Sequence, residues 1–237
     1  MQSDIADVHH PVFEIADLHP LFIRKMPFWK RTFDILCASM GLLFLAPLFL
    51  LISILIKIVS PGPVFFKQER VGYGGKRFIL YKFRTMKNNT DTSVHKEYLS
   101  ELINAEDCFR GTNACTIMKK IENDSRVIPF GNFLRCTSMD ELPQLINVLI
   151  GEMSIIGPRP PITYEVDQYQ NWFRDRFDIV PGLTGLWQVS GKNNLTYHEM
   201  IRLDIQYIRT HSFWLDMKIL LLTPFVIINA IKDSYQN

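Results

Sequence analysis

The chain has 237 residues, of which 47% are hydrophobic and 21% charged, a balance that predicts one folded domain with added segments and excludes extended disorder. A formal net charge of +2 excludes a broadly basic nucleic-acid-binding surface, so no nucleic-acid partner is expected. The four cysteines show no Cys-x-x-Cys spacing, which argues against a zinc site or a disulfide framework and indicates a reducing compartment.

Residues 1–26 are predicted to be a polar N-terminal tail. The first 20 residues mix polar and apolar types, and no signal-peptide cleavage site follows the first long apolar run. The histidines of this tail are interpreted as solvated side chains rather than metal ligands: His9, His10 and His19.

An uncharged run of 22 residues extends from Ile35 to Ile56. As a helix it would be about 33 Å long, enough to cross a bilayer. Pro47 lies near its middle and would bend or break the helix. Basic residues flank both ends, with Arg24, Lys25, Lys30 and Arg31 before the run and Lys57 after it, and such residues prefer the cytoplasmic side. We therefore predict a re-entrant membrane helix over residues 27–60, with a kinked span and a buried core helix as alternatives.

A second apolar run, Ile219–Ile231, has 13 residues and is predicted to be too short to span a bilayer. Aromatic and charged neighbours, Trp214 and Lys232 among them, favour a helix lying in the membrane interface. A core helix is the alternative.

Residues 61–86 contain two β-rich runs, Val64–Phe66 and Phe78–Phe83, on either side of three glycines, which predicts a β-hairpin. Lys82 and Arg84 alternate with aromatic residues, so both are predicted to face one side of the strand. That face would meet phosphates, lipid head groups or solvent. The polar residues 87–125 are predicted to form a surface excursion with a short helix near Lys96–Ile103.

Two adjacent acids, Asp140 and Glu141, allow two interpretations. Ser138 and Glu141 match a capping box at the start of a helix over 141–150, with Gly151 at its end. The neighbouring polar residues instead favour phosphoryl transfer at a helix N-terminus, because arginines bind phosphate and carboxylates hold Mg²⁺ together with phosphates. These neighbours are Arg126, Arg135, Gln144, Asn147 and Arg159.

Arg159 stands between two prolines on a stiff loop, and the segment 181–192 is predicted to be loop-like. The prolines and glycines of that segment are interpreted as structural punctuation rather than as catalytic residues.

Five motifs occur in one order along the chain, and together they resemble the bacterial sugar transferase family. These are the monotopic polyprenyl-phosphate phosphoglycosyl transferases of exopolysaccharide, capsule and O-antigen synthesis. The resemblance covers residues 27 to 230 in outline, and several ordered motifs are far more specific than one. The motifs are KRTFDI (30–35), SPGPVFFKQERVG (60–72), YKFRTM (81–86), SMDELPQLINVLIGEMSIIGPRP (138–160) and PGLTGLWQVSGK (181–192).

The resemblance implies an α+β, mostly helical fold. A re-entrant (monotopic) helix over 27–60 would precede a cytoplasmic catalytic domain over 61–237, which carries a small β-hairpin and an interfacial C-terminal helix. The expected location is the cytoplasmic face of the bacterial inner membrane, in contact with inner-leaflet lipids. The chain corresponds to the short form of the family; a homo-oligomer is left open.

The resemblance also implies the reaction. A sugar-1-phosphate would pass from a UDP-sugar to undecaprenyl phosphate, a polyprenyl phosphate, with release of UMP. Asp140 would be the nucleophile and the contact for a Mg²⁺ cofactor, and Glu141 the second acid. The expected substrate-binding residues are Lys82, Arg84, Arg135, Gln144 and Arg159.

Three positions depart from the family pattern. Ala46-Pro47 replaces a common Ser-Pro at the membrane bend, Val180 replaces a basic residue, and Lys192 replaces an arginine. The last change weakens any bidentate contact at that position. The family does not fix which sugar is transferred.

Two other function classes are alternatives to this transferase. A non-catalytic membrane scaffold of polysaccharide assembly would use Asp140 and Glu141 only as helix caps. A lipid-diphosphate phosphatase fits poorly, because the sequence has no histidine-based phosphatase motif near an arginine.

Overall fold

A computed structural model describes residues 24–87, 93–104, 126–191 and 194–236. The three tail histidines, Cys108, Cys115 and Lys192 lie outside the described residues. The prediction of a mostly helical α+β fold with a small hairpin is confirmed in the described ranges. The helices are α1 (Phe28–Phe44), α2 (Ala46–Val59), α3 (Ser93–Asn104), α4 (Gly131–Cys136), α5 (Gln144–Ile150), α6 (Thr163–Val166), α7 (Leu186–Val189), α8 (Tyr197–Thr210) and α9 (Phe213–Gln236), and the strands are β1 (Phe65–Val71), β2 (Arg77–Phe83), β3 (Ser154–Ile156) and β4 (Gly182–Thr184).

The predicted hairpin is present and longer than expected. β1 pairs with β2 in antiparallel register, from Phe65 opposite Phe83 to Val71 opposite Arg77. The turn is a short 3-10 segment, Tyr73–Gly75, in which Gly74 has a φ of 62° that favours glycine. The first strand continues beyond Phe66 through the polar residues 67–70, because it is paired along its length with β2.

A second pairing joins β3 to β4 in parallel, with Ser154 opposite Gly182 and Ile156 opposite Thr184. Part of the segment predicted to be loop-like is therefore strand β4 and helix α7. A Cβ on Gly182 would lie 2.0 Å from the amide nitrogen of Gly157. The glycine is therefore required because two backbones touch at this point.

Helices α1 and α2 form the predicted broken apolar helix. They meet at Leu45 with a bend of 59°. Pro47 lies in the first turn of α2, where a helix loses no hydrogen bond to proline. The break therefore precedes the proline rather than falling on it. Many large apolar side chains of this pair are exposed, including Leu36, Met40, Leu43, Phe44, Leu50, Leu51, Ile54 and Ile58.

Polar side chains fix the start of α1 to the folded domain. Lys30 is 1% exposed and forms an ion pair with Asp216 of α9 at 2.6 Å. Asp34 accepts hydrogen bonds from the Ser154 hydroxyl and the Ile155 amide of β3, at 3.0 and 2.9 Å. Lys30 was predicted to be a flanking charge that orients the helix, but its ammonium is buried and paired instead.

Arg31, predicted like Lys30 to be a flanking charge, also contacts the folded domain. Its guanidinium donates to the Val148 and Leu149 carbonyls at 2.6 and 2.7 Å, which are among the last carbonyls of α5. A cation at a helix C-terminus satisfies these acceptors and complements the helix dipole. Arg31 therefore holds α1 against α5.

Helix α9 is longer than the apolar run in its sequence. Within the described residues, the stretch Phe213–Lys232 is long and apolar enough to cross a membrane, so the prediction that this segment is too short to span is wrong on length. Flanking residues extend the helix to 24 positions. One face packs on α7, β3 and β4, while Trp214, Leu221 and Phe225 on other faces are exposed.

Helix α3 begins before the predicted short helix and ends one residue after it. Three of its apolar residues, Leu99, Leu102 and Ile103, are buried in a core cluster with residues of α8 and the 3-10 segment Asn171–Asp178. The prediction that this stretch is only a surface excursion is wrong for α3, because its apolar face completes the core.

The contact between β3 and β4 yields a stability prediction. Gly182→Ala should destabilise the protein by roughly 3 kcal/mol or more, since a backbone atom cannot move away from the added methyl group. The measurement is denaturant unfolding of the purified protein in detergent.

A matched control is Gly41→Ala on α1. There the new Cβ would lie 3.0 Å from the Cδ1 atom of Leu145, the tip of a flexible side chain. We expect this control to stay within about 1 kcal/mol of the wild type. Equal losses in the two variants would contradict the argument from backbone contact.

The buried ion pair yields a second prediction. Lys30→Met should cost roughly 3–5 kcal/mol, because Asp216 is left buried without its cation. The double variant Lys30→Met/Asp216→Leu should recover more than half of this loss, since both members of the pair are then apolar. Unfolding curves of the three proteins test this, and a double variant no more stable than the single one would contradict it.

Candidate active site

The two acids lie on a 3-10 turn, Met139–Glu141, that precedes α5. The predicted capping box is wrong. Ser138 has a φ of 58° and makes no side-chain capping bond, and the α-helix begins only at Gln144, after Pro143. The carboxylate of Glu141 points to basic side chains instead of the backbone N–H of Ser138. Gly151 does end the helix, with the predicted left-handed backbone.

The residue before the turn holds a costly conformation. A serine at φ 58° is uncommon, and such residues concentrate at functional sites. Its geometry directs the chain from α4 into the turn, in which Asp140 is only 8% exposed.

Glu141 joins three elements through one oxygen atom. Its Oε1 accepts from the Lys82 ammonium of β2 at 2.7 Å and from both terminal nitrogens of Arg159 at 3.4 Å. The hairpin, the acidic turn and the proline-rich loop therefore meet at this carboxylate.

The electrostatics of this cluster follow from burial and proximity. Burial lowers the pKa of Lys82, with Glu141 opposing the shift and Arg159 adding to it. The negative charge of Glu141 raises the pKa of Arg159. Asp140 favours the charged form of both basic residues as well. The result is two cations held beside two acids at the edge of the domain.

The other predicted binding residues lie around this cluster in different roles. Gln144 is buried in the first turn of α5. The Arg135 Nε donates to the Thr85 hydroxyl at 3.0 Å, which ties α4 to the end of the hairpin.

Arg84 lies just past β2, and its guanidinium donates to the carbonyls of Ser60 and Pro61 at 2.5 and 2.8 Å. It therefore links the end of α2 to the hairpin. Substrate binding by Arg84, as by the other residues, stays a prediction.

Val180 is 6% exposed and packs in the core. At this position, where relatives were expected to carry a basic residue, the side chain faces the domain interior. Lys192 cannot be compared, because it lies outside the described residues.

The family model described as bacterial sugar transferase matches residues 25–230. The chain belongs to the bacterial sugar transferase family. The resemblance inferred from the five motifs is thus confirmed, and with it the prediction that the protein is a transferase.

Named relatives of this sugar transferase fall into two length classes. The exopolysaccharide production protein ExoY of Rhizobium meliloti is 41% identical over 198 residues, which cover 82% of this chain and 83% of the relative. The undecaprenyl-phosphate galactose phosphotransferase of Salmonella typhimurium is 38% identical over 92% of this chain and 44% of its own length. A UDP-glucose:undecaprenyl-phosphate glucose-1-phosphate transferase of Escherichia coli is also 38% identical, over 83% of this chain and 39% of its own.

Two buried arginines near the cluster are not predicted by the sequence. Arg70 of β1 donates to the Pro160 carbonyl, and Arg176 donates to the Arg159 carbonyl, each at 2.8 Å. Arg70 lies inside the motif KQERVG, but nothing in one sequence shows that a strand arginine turns inward. Arg176 lies in a charge-rich stretch that looks solvated.

Asn147 has a structural role that its sequence neighbourhood did not indicate. Its amide donates to the Ile79 carbonyl and to Glu152, both at 2.7 Å, and its carbonyl oxygen accepts from the Tyr81 amide. It thereby replaces a missing strand partner on the open edge of β2. This contact sets the distance between Lys82 on β2 and the acidic turn ahead of α5.

The donor set suits the expected Mg²⁺. Carboxylate oxygens are hard ligands, and the turn presents two adjacent carboxylates, Asp140 and Glu141. Among the described residues, no group of three or more histidine, cysteine or acidic side chains forms a complete protein cage. A site with only one or two carboxylates agrees with the usual mode of Mg²⁺ binding, in which substrate phosphates supply further ligands.

The Glu141 contacts yield a prediction about charge. In Glu141→Gln, the pKa of Lys82 should fall further below its ordinary value, because the neighbouring negative charge is removed while burial and Arg159 remain. The measurement is the rate at which an amine-reactive reagent labels Lys82 at a series of pH values, with labelling quantified by mass spectrometry.

The exposed Lys67 of β1 is the internal control, since its labelling profile should not change. The midpoint for Lys82 should move to lower pH in the variant. An unchanged or raised midpoint would contradict the assigned ion pair.

Proposed function

We propose that this sugar transferase moves a sugar-1-phosphate from a UDP-sugar to undecaprenyl phosphate and releases UMP. The observation that carries the proposal is the buried Asp140, next to a Glu141 that holds Lys82 and Arg159 beside it. Relatives whose names describe transfer of glucose-1-phosphate from UDP-glucose to undecaprenyl phosphate support this choice of donor and acceptor.

The first half-reaction is attack by a carboxylate oxygen of Asp140 on the donor phosphorus next to the sugar. The new bond is a carboxylate O–P bond, and the bond that breaks joins this phosphorus to the oxygen that leaves with UMP. A carboxylate needs no deprotonation at neutral pH, so nucleophilic attack requires mainly alignment and screening of charge.

Lys82 and Arg159 supply that screening. Their charges face the acidic turn from the hairpin and from the proline-rich loop, where they would neutralise phosphate oxygens as charge develops. Glu141 keeps both cations in place and limits their mobility. Mg²⁺ bound at Asp140 would add positive charge against the two phosphates of the donor.

In the second half-reaction, a phosphate oxygen of undecaprenyl phosphate attacks the same phosphorus. The bond to Asp140 breaks, the carboxylate is regenerated, and the product is a lipid-linked diphosphosugar. Two displacements at one phosphorus avoid the need to bind a water-soluble donor and a membrane acceptor in line at the same time.

We further infer that α1 and α2 enter and leave the membrane on the cytoplasmic side. Both ends of the pair are tied to the same folded body: Lys30 and Asp34 hold the start of α1, and Arg84 holds the end of α2. The 59° bend and the exposed apolar side chains between these ties support a re-entrant helix. The packing of α9 on β3 and β4 supports a position in the interface.

The nucleophile assignment is tested with Asp140→Asn. UMP release from a UDP-sugar with undecaprenyl phosphate should fall by roughly 10³-fold or more, because an amide cannot form the phosphorus bond. Mass spectrometry of the wild type with donor alone should find a sugar-phosphate adduct on the peptide that contains Asp140.

Asp175→Asn is the matched control, since this exposed acid pairs with Arg209 away from the cluster and its loss should leave turnover within about twofold. Full turnover by Asp140→Asn would contradict the proposal. Release of UDP in place of UMP would identify an ordinary glycosyl transfer instead.

A further inference from the structure

The loop that carries Arg159 contains three prolines, Pro158, Pro160 and Pro161, which have no N–H group. Its carbonyls nevertheless all find donors. The Pro158 carbonyl accepts from the Gly182 amide at 2.7 Å, and the Pro161 carbonyl from the Val71 amide at 3.0 Å. The two carbonyls between them, of Arg159 and Pro160, accept from buried arginine side chains.

Arg70 reaches the loop from the hairpin. It is 6% exposed, and its two terminal nitrogens donate to the Pro160 carbonyl at 2.8 Å and to Gln68 at 2.7 Å. Burial together with the positive charge of Arg159 lowers the pKa of Arg70 to about 10. A second cation placed beside Arg159 is costly, so its presence points to a task that a neutral donor would not perform.

Arg176 reaches the loop from the 3-10 segment Asn171–Asp178. One terminal nitrogen donates to the Arg159 carbonyl at 2.8 Å and the other to the Tyr169 hydroxyl at 2.6 Å. Asp204 of α8 forms an ion pair with it at 2.7 Å. Burial raises the pKa of Asp204 to about 6 even though Arg176 attracts its charged form.

We infer that Arg70 and Arg176 are positioning residues for Arg159, which clamp the backbone of the loop through two adjacent carbonyls so that the Arg159 guanidinium meets Glu141 and the donor phosphate. This inference rests on the proposed function of Arg159 in binding the donor. Neither buried arginine needs to touch the substrate. The clamp acts because the prolines stiffen the loop internally but do not fix its position relative to the acidic turn, which depends on the groups that bind its carbonyls.

The fork shape of arginine explains the residue type. Arg70 donates to a backbone carbonyl and a side chain at once, and Arg176 to a carbonyl and a hydroxyl, while Asp204 neutralises it. A lysine keeps the charge but presents one nitrogen, so it cannot reproduce both contacts in fixed directions. Arginine-to-lysine variants therefore separate loss of position from loss of charge.

The test is a double-mutant cycle on kcat/KM for the UDP-sugar, scored by UMP release. Arg70→Lys should lower kcat/KM by about tenfold or more in the wild-type background, because small misplacement of a phosphate-binding group is costly. In an Arg159→Lys background the same change should cost less than about twofold, since there is no guanidinium left to position. Equal losses in both backgrounds would overturn the inference and leave Arg70 a general structural role.

Arg77→Lys is the matched control, because Arg77 lies on the other strand of the hairpin and pairs with Glu69 in an exposed contact. It should leave kcat/KM unchanged in both backgrounds. Arg176→Lys should repeat the pattern of Arg70→Lys; if that variant does not fold, the Arg70 cycle decides alone. Unfolding curves show whether each variant is folded under assay conditions.

A second measurement applies if Arg159→Lys has no measurable turnover. Phenylglyoxal modifies arginines, and bound UDP-sugar should protect Arg159 of the wild type from it, as read by mass spectrometry. Arg70→Lys should abolish this protection while Arg77→Lys keeps it, and undiminished protection in Arg70→Lys would overturn the inference. Absence of UMP release by the wild type would instead contradict the proposed function itself.

Discussion

One carboxylate oxygen connects the three segments that form the candidate active site. The Oε1 atom of Glu141 accepts from Lys82 on the hairpin and from Arg159 on the proline-rich loop, while its own backbone belongs to the turn that carries Asp140. Other polar side chains do not contact this oxygen but hold the three segments in place. Asn147 fixes the hairpin against α5, and Arg70 fixes the loop against the hairpin. The site is thus a small set of charged contacts supported by buried polar groups.

The apolar helices and the polar site are parts of one packed structure. The Lys30–Asp216 pair joins the first helix to the last, and the Tyr207 hydroxyl donates to Asp216 within the same buried network. Buried ion pairs contribute little to stability against an apolar replacement, but they tolerate few alternative arrangements. In this protein they set how the exposed apolar helices are oriented relative to the acidic turn, which matters for an enzyme whose proposed acceptor is a lipid.

Much of the organisation could be predicted because it depends on local chemistry. A run of 22 uncharged residues, glycines between β-rich segments, and a glycine after a helical repeat each leave a direct signal. The family resemblance supplied Asp140 and Glu141, and the structure brings Lys82 and Arg159 to them. The prediction of Ser138 as a helix cap is wrong because the same residue types at the same spacing occur both in a capping box and in this left-handed turn.

What could not be predicted depends on contacts between distant segments. Arg70, Arg176 and Asn147 are polar residues whose partners lie far away in the sequence, so neither periodicity nor spacing marks them. Lys30 and Arg31 were predicted to be charges beside a membrane helix. The ion pair of Lys30 with an acid 186 positions later gives no signal in the sequence around either residue. The pairing of β3 with β4 is equally remote, and three-residue strands are too short for a pattern.

Helix α5, which follows the acidic turn, has only seven residues and is too short to be stable by itself. Arg31 donates to its last carbonyls, and Leu145 packs against Gly41. The apolar helix α1 therefore stabilises α5. A water-soluble form of the enzyme therefore cannot be obtained by deleting residues up to the hairpin, because the cut would remove the support of the acidic turn. The workable route keeps α1 whole and replaces its outward-facing apolar side chains with polar ones.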